Sequence, residues 1–131
     1  MDDLINKEHD ASIDKEYDYN LLLHVDSEDA GPLDMALGNA HHFIEALPGV
    51  TLRVVIVVTG PAVRLLTERD SDQARKAENL LEKGISIQAC RHAMQIYKVN
   101  ENEMWPNIEF VRSGVVALVQ LQDEGMAYVK P

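Results

Sequence analysis

Ile85-Ser86-Ile87-Gln88-Ala89-Cys90-Arg91-His92-Ala93-Met94-Gln95-Ile96-Tyr97 changes character in its middle. The first half alternates apolar and polar side chains, the period of a short strand, and the second half reads as the start of a helix. The only cysteine of the chain, Cys90, stands at the switch. Amide donors at a helix N-terminus, with Arg91 and His92 adjacent in sequence, favour thiolate over thiol there. Buried structural cysteines more often sit inside an element than at its end.

Outward from this junction the pattern is strand, helix, strand, helix. Tyr19-Asn20-Leu21-Leu22-Leu23-His24-Val25-Asp26 is a near-continuous apolar run, as in a strand buried on both faces. After the loop 27–32, Leu33, Leu37, Ala40 and Ile44 recur at helical spacing, and Leu47-Pro48-Gly49 ends that helix. Residues 50–58 are β-branched nearly throughout and give the strongest strand signal. Thr59-Gly60-Pro61 turns the chain into a helix at 62–66, and Ser71 is placed to cap a helix from Asp72 to Lys83 that Gly84 stops. Ile108-Glu109-Phe110-Val111 forms a short strand, Ser113 caps a helix running to about Gly125, and residues 126–130 close the chain as a last strand. Five strands interleaved with helices imply a single three-layer α/β domain over 19–131: an open, mostly parallel five-stranded sheet with helices on both faces. In such sheets the working site lies at the carboxyl ends of the strands, where Cys90 stands.

The bulk properties exclude several classes. At 131 residues and 46% hydrophobic, the chain has material for one core. No stretch approaches the ~20 apolar residues that span a bilayer, and the N-terminus has no signal-peptide pattern. One cysteine forms no internal disulfide, which suits a reducing, cytoplasmic setting. A net charge of −10 argues against nucleic acid. Half of that charge lies in residues 1–18, where seven acids face Lys7 and Lys15. This acidic segment reads by composition as a solvated, partly disordered tail, or as an arm packing on a neighbouring subunit.

The histidines are candidates for a metal site, but Cys90-Arg91-His92 is not a tight ligand spacing, and His41 and His42 project ~100° apart on a helix. His24 reads better as a neutral hydrogen-bonding residue lining a pocket with Asp26 and Asn39. The acids of 26–29 read as helix caps. Gly60-Pro61 is too short for a phosphate loop and no glycine-rich dinucleotide fingerprint follows the first strand, so neither a metal nor a nucleotide cofactor is expected. Trp105, in a loop, reads as a plug over the core or an interface anchor, with the interface favoured.

Several stretches together resemble the DsrE/DsrF-like proteins of sulfur-relay systems, in particular their YchN-like subgroup. They are Leu23-His24-Val25-Asp26, Gly60-Pro61, the run from Leu80 to Cys90, Phe110-Val111-Arg112-Ser113-Gly114-Val115-Val116, and the ending Leu118-Val119-Gln120-Leu121-Gln122-Asp123-Glu124-Gly125-Met126-Ala127-Tyr128-Val129-Lys130-Pro131. The resemblance implies a compact α/β subunit assembled with copies of itself as a trimer or hexamer. It implies that Cys90 accepts sulfane sulfur as a persulfide, exchanging it with donor and acceptor proteins. Arg91, His92, His24, Asp26 and Asn39 are the expected tuning or pocket residues. The competing reading is a binding or assembly module of the same fold, in which Cys90 is an incidental small hydrophobe or a redox sensor.

Overall fold

The computed structural model describes residues 16–131. Most of the acidic segment expected at 1–18 therefore lies outside the described residues. Just before residue 19 the Asp18 amide donates to the Thr51 carbonyl (2.8 Å), and the Thr51 amide donates back to the Asp18 carboxylate (2.9 Å), tying this residue to the start of the second strand.

Five strands, β1 (Tyr19–Val25), β2 (Leu52–Val58), β3 (Ser86–Cys90), β4 (Glu109–Val111) and β5 (Ala127–Val129), form one sheet in the order β4-β3-β2-β1-β5. Every pairing is parallel, so the sheet expected to be mostly parallel is wholly so. The helices are α1 (Ala30–Ala46), α2 (Asp72–Glu82), α3 (Arg91–Ile96) and α4 (Gly114–Asp123). The segment after β2 is a 3-10 helix, Gly60–Thr67. Ser71 caps α2 by accepting from the Ala74 amide, and Gly84, with φ 91°, takes the left-handed conformation that ends it.

Strand alternation divides the core in two. Leu21, Leu23 and Val25 of β1 and Val54, Ile56 and Val58 of β2 point to one face, where α1, the 3-10 helix, α2 and α3 bury them. Leu22, Val55 and Val57 point to the other, against Leu118 and Leu121 of α4 and Met126. The right-handed crossovers explain the split. Moving β1→β2→β3→β4 across the sheet keeps the connecting helices on one face, and returning from β4 to β5 at the far edge puts α4 on the opposite one. One helix thus covers a whole face, and Val115, Val116 and Val119 on it remain exposed.

Two local expectations are corrected. Trp105 is only 3% exposed, and its indole N–H donates to the Glu68 carbonyl (3.1 Å). It is a plug in the first core and not an interface anchor. The acids of 26–29 do not cap α1: Asp29 at the N-cap makes no side-chain capping bond, Ser27 Oγ accepts from the Asp29 amide, and Asp26 turns to Lys130.

Candidate functional site

Cys90 is the last residue of β3 and the N-cap of α3 at once. Its sulfur accepts from the Ala93 amide at 3.4 Å and from the Gly114 amide at 3.2 Å. The first donor belongs to the first turn of α3, the second opens α4. After β3 the chain passes to one face and after β4 to the other, so Sγ lies at the topological switch point of the sheet, where α/β folds place their ligands. Amides of two helix N-termini, one from each face, thus converge on one atom. The residue is 5% exposed, so the sulfur is nearly sheltered from bulk water.

Gly114 is a steric requirement of this cradle. A Cβ at that position would overlap Thr59 Cγ2 and stand 3.2 Å from Cys90 Cβ. The methyl of Thr59, just past β2, occupies the space that glycine leaves free. The Thr59 hydroxyl meets His24 Nε2 at 2.9 Å, and the other imidazole nitrogen, Nδ1, meets the Tyr128 hydroxyl at 2.8 Å. Asp26, one residue beyond β1, accepts from Lys130 Nζ at 2.6 Å. The carboxyl edge of the sheet therefore carries a continuous line of groups from Cys90 through Gly114, Thr59 and His24 to Tyr128, with Asp26 and Lys130 beside its end.

The electrostatics follow from this packing. Burial holds the His24 imidazole below its ordinary pKa of 6.5, the Lys130 charge adds to the effect, and Asp26 opposes it. The hydrogen bond from Lys130 holds the Asp26 carboxyl below its ordinary value, against a smaller opposing effect of desolvation. His24 is thus a neutral imidazole with one donor and one acceptor nitrogen.

Of the residues singled out in the sequence, Cys90, His24 and Asp26 lie at this edge. Arg91 turns away from the sulfur: it pairs with Glu101 (Nε to Oε2 2.5 Å) and lies over the Phe110 ring at 5.6 Å. That pairing raises the Arg91 pKa and holds Glu101 below the usual carboxylate range. His92 is exposed on α3. Asn39 sits on α1, which packs on the face opposite α4, and no hydrogen bond joins it to the edge residues. Thr59, Gly114, Tyr128 and Lys130 were not singled out individually. Their signal was present only as membership in the Thr59-Gly60-Pro61 turn and the Ser113-Gly114 and Ala127-Tyr128-Val129-Lys130 stretches.

A groove of about 580 Å³ runs between α1 and α2, lined by Leu37, His41, Arg75, Lys76, Leu80 and Lys83 among others. None of the edge residues lines it. Two of its cations are already neutralised, Lys76 by Asp34 at 2.7 Å and Arg75 by Asp72, so the chemistry points to the strand edge instead. Among the described residues no three His, Cys, Asp or Glu side chains stand together as a metal site, and no helix is long and apolar enough to cross a membrane.

Three solved structures share this architecture. A protein of unknown function, MTH1491 from Methanobacterium thermoautotrophicum, superposes with a TM-score of 0.79 and 25% identity, over 87% of this chain and 100% of that one. The ychN protein of E. coli gives a TM-score of 0.73 at 12% identity, over 86% and 99% of the two chains. A protein of unknown function, BT1422 from Bacteroides thetaiotaomicron, gives 0.59 at 17%, over 85% and 93%. No curated protein matches the chain. The model of the DsrE/DsrF-like family matches residues 24–131, a span that begins at His24 and contains Cys90, Gly114, Tyr128 and Lys130, and the chain belongs to that family.

Proposed function

We propose that this protein carries sulfane sulfur as a persulfide on Cys90, receiving it from one partner and passing it to another in a sulfur relay. The observation that carries this reading is the pair of amides from α3 and α4 meeting at Sγ. A carrier needs a sulfur that is stable as an anion, first to attack a donor and later to leave when the persulfide is consumed. Two fixed N–H donors serve both steps, because the same anion forms at each. The sequence resemblance to sulfur-relay proteins supports the same assignment, and a free cysteine fits a reducing compartment such as the cytoplasm. His24 and Asp26 act as the tuning residues at the edge. Arg91, paired with Glu101, and His92, exposed on α3, make no hydrogen bond to the sulfur and are not assigned a tuning role.

One observation favours a second reading. Cys90 is nearly buried while Val115, on α4, is 70% exposed, with Val116 and Val119 also exposed on that helix. A face of this kind suits assembly with further copies of the chain, as a trimer or hexamer, and the thiol would then be a redox sensor or a packing residue. The two readings separate by intact mass after exposure to a sulfane-sulfur donor. A reducible gain of whole sulfur atoms by the wild type, absent in Cys90→Ser, is the result expected of a carrier. No gain in a folded wild type leaves the assembly reading.

A further inference from the structure

The groove between α1 and α2 takes no part in the site at the strand edge, and its make-up is unlike the rest of the chain. Buried Leu37 and Leu80 form its apolar base, and Arg75, Lys76, Lys83 and His41 stand along it. Among the described residues no carboxylate lines it, in a chain with 22 acids against 12 lysines and arginines. Lys76 pairs with Asp34 and Arg75 with Asp72, but both pairs are exposed, and such pairs hold weakly. Lys83 makes no ion pair among the described residues. Gly38 opens the wall of the groove. Glycine in the middle of a helix weakens it relative to alanine, yet a Cβ at this position would meet nothing within 4 Å. No described neighbour requires glycine there, whereas a second backbone lying close against α1 would.

The sequence that precedes the described residues has the complementary pattern. Residues 1–15 hold Asp2, Asp3, Glu8, Asp10 and Asp14 against Lys7 and Lys15, with the apolar pair Leu4-Ile5 directly after two of the acids. The point where the chain enters the fold is close to the groove. α1 and α2 both run from the carboxyl edge of the parallel sheet back to the edge where the strands begin, so His41 and Lys83 lie toward that edge. The chain enters β1 at the same edge, where the Tyr19 ring meets Phe43 of α1 edge-on at 6.3 Å between centroids. A stretch of 15 residues reaches at most about 50 Å, several times the diameter of a helix. We infer that residues 1–15 bind in the groove of their own chain, with Leu4 and Ile5 over Leu37, Leu80 and the gap at Gly38. The flanking acids then face Lys83, Lys76 and Arg75. Lys83 gains a partner, and the two loosely paired cations share their charge with the incoming carboxylates. These charges lie at the surface, so added salt weakens the contact.

The test is carbodiimide coupling of the full chain at low salt, which joins a carboxylate to a lysine only where the two touch, followed by mass mapping of the links in the monomer. Links from residues 1–15 to Lys83 and Lys76 are expected at about threefold or more above those to Lys98, an exposed lysine outside the groove. Raised salt should suppress them. Gly38→Leu fills the gap at a position with room for a side chain, so the fold is kept. It should lower the links to Lys83 by about threefold or more, while the native link between Lys130 and Asp26 stays unchanged as the internal control. Leu4→Ser should lower them in the same direction by removing the apolar anchor. Links spread evenly over Lys76, Lys83 and Lys98, or unmoved by Gly38→Leu, would overturn the inference. Links found only between two chains would overturn it as well, and would make the segment an arm on a neighbouring copy.

Discussion

The two faces of the sheet divide the labour of the molecule. One is sealed by α1, the 3-10 helix, α2 and α3 over a continuous apolar core that reaches from Leu21 to Ile108. The other has only α4, a small cluster around Leu22, Val57 and Leu118, and valines open to solvent. Apolar burial, and hence folding free energy, concentrates on the first face. The polar line of Thr59, His24 and Tyr128 follows the carboxyl rim beside the second. The difference teaches that a nearly all-apolar strand can serve two ends: Leu21, Leu23 and Val25 of β1 anchor it, while His24, pointing the other way between Leu23 and Val25, is free to enter a site.

Substitutions should break this contrast in graded fashion. The largest effect is expected in the sealed face. Ile56→Ala, at a fully buried position of the central region, should cost about 2–5 kcal/mol in chemical denaturation, with m unchanged. Next comes Gly114→Ala, where the new methyl meets Thr59 Cγ2 and crowds Cys90 Cβ. Overpacking of this kind costs about 1–3 kcal/mol. Thr59→Ser removes the opposing methyl, so the double variant should recover part of the loss, and strict additivity would contradict the packing described.

A smaller effect is expected from His24. Its folded pKa lies below 6.5, so above 6.5 both folded and unfolded chains are neutral at this residue and it leaves stability unchanged. As the pH falls below 6.5 the unfolded chain takes up the proton first, and stability drops until the folded imidazole also titrates. Asp26 acts in the same direction at lower pH: its stabilising pair with Lys130 is present above 3.8 and is lost as the pH falls through its depressed folded value. Thermal midpoints between pH 5 and 7 should decline on acidification in the wild type and flatten in His24→Asn. The smallest effect belongs to the open face. Val119→Ser should change monomer stability by no more than about 0.5 kcal/mol, and a large loss there would show that α4 is less exposed than it stands.

The features legible in the sequence are those written locally. The change of period at Cys90, the β-branched run of β2 and the Ser71 and Ser113 caps each depend on neighbours within a few residues, and the chain order of strands and helices follows from them. What was not legible depends on partners far along the chain. His24 meets Tyr128, and Asp26 meets Lys130, each across 104 residues, so Asp26 could be read among the capping acids when its actual partner is a lysine just past the last strand. The requirement for Gly114 appears only when the chain brings Thr59 against it. Trp105 was misjudged for a related reason: its loop closes over Leu66 and Glu68, and periodicity carries no information on what a loop covers. Arg91 is adjacent to Cys90 in sequence, yet Glu101 sets its direction.

The central claim is that the fold activates Cys90 and does not merely shelter it. The most direct measurement is the rate at which the single thiol takes up sulfane sulfur from inorganic polysulfide in the folded chain, against the same chain unfolded in denaturant at the same pH. The amide cradle predicts faster uptake in the folded state and a persulfide that persists there. Slower uptake when folded, with the thiol reacting freely once the chain is opened, would contradict the account and reduce Cys90 to a buried packing residue.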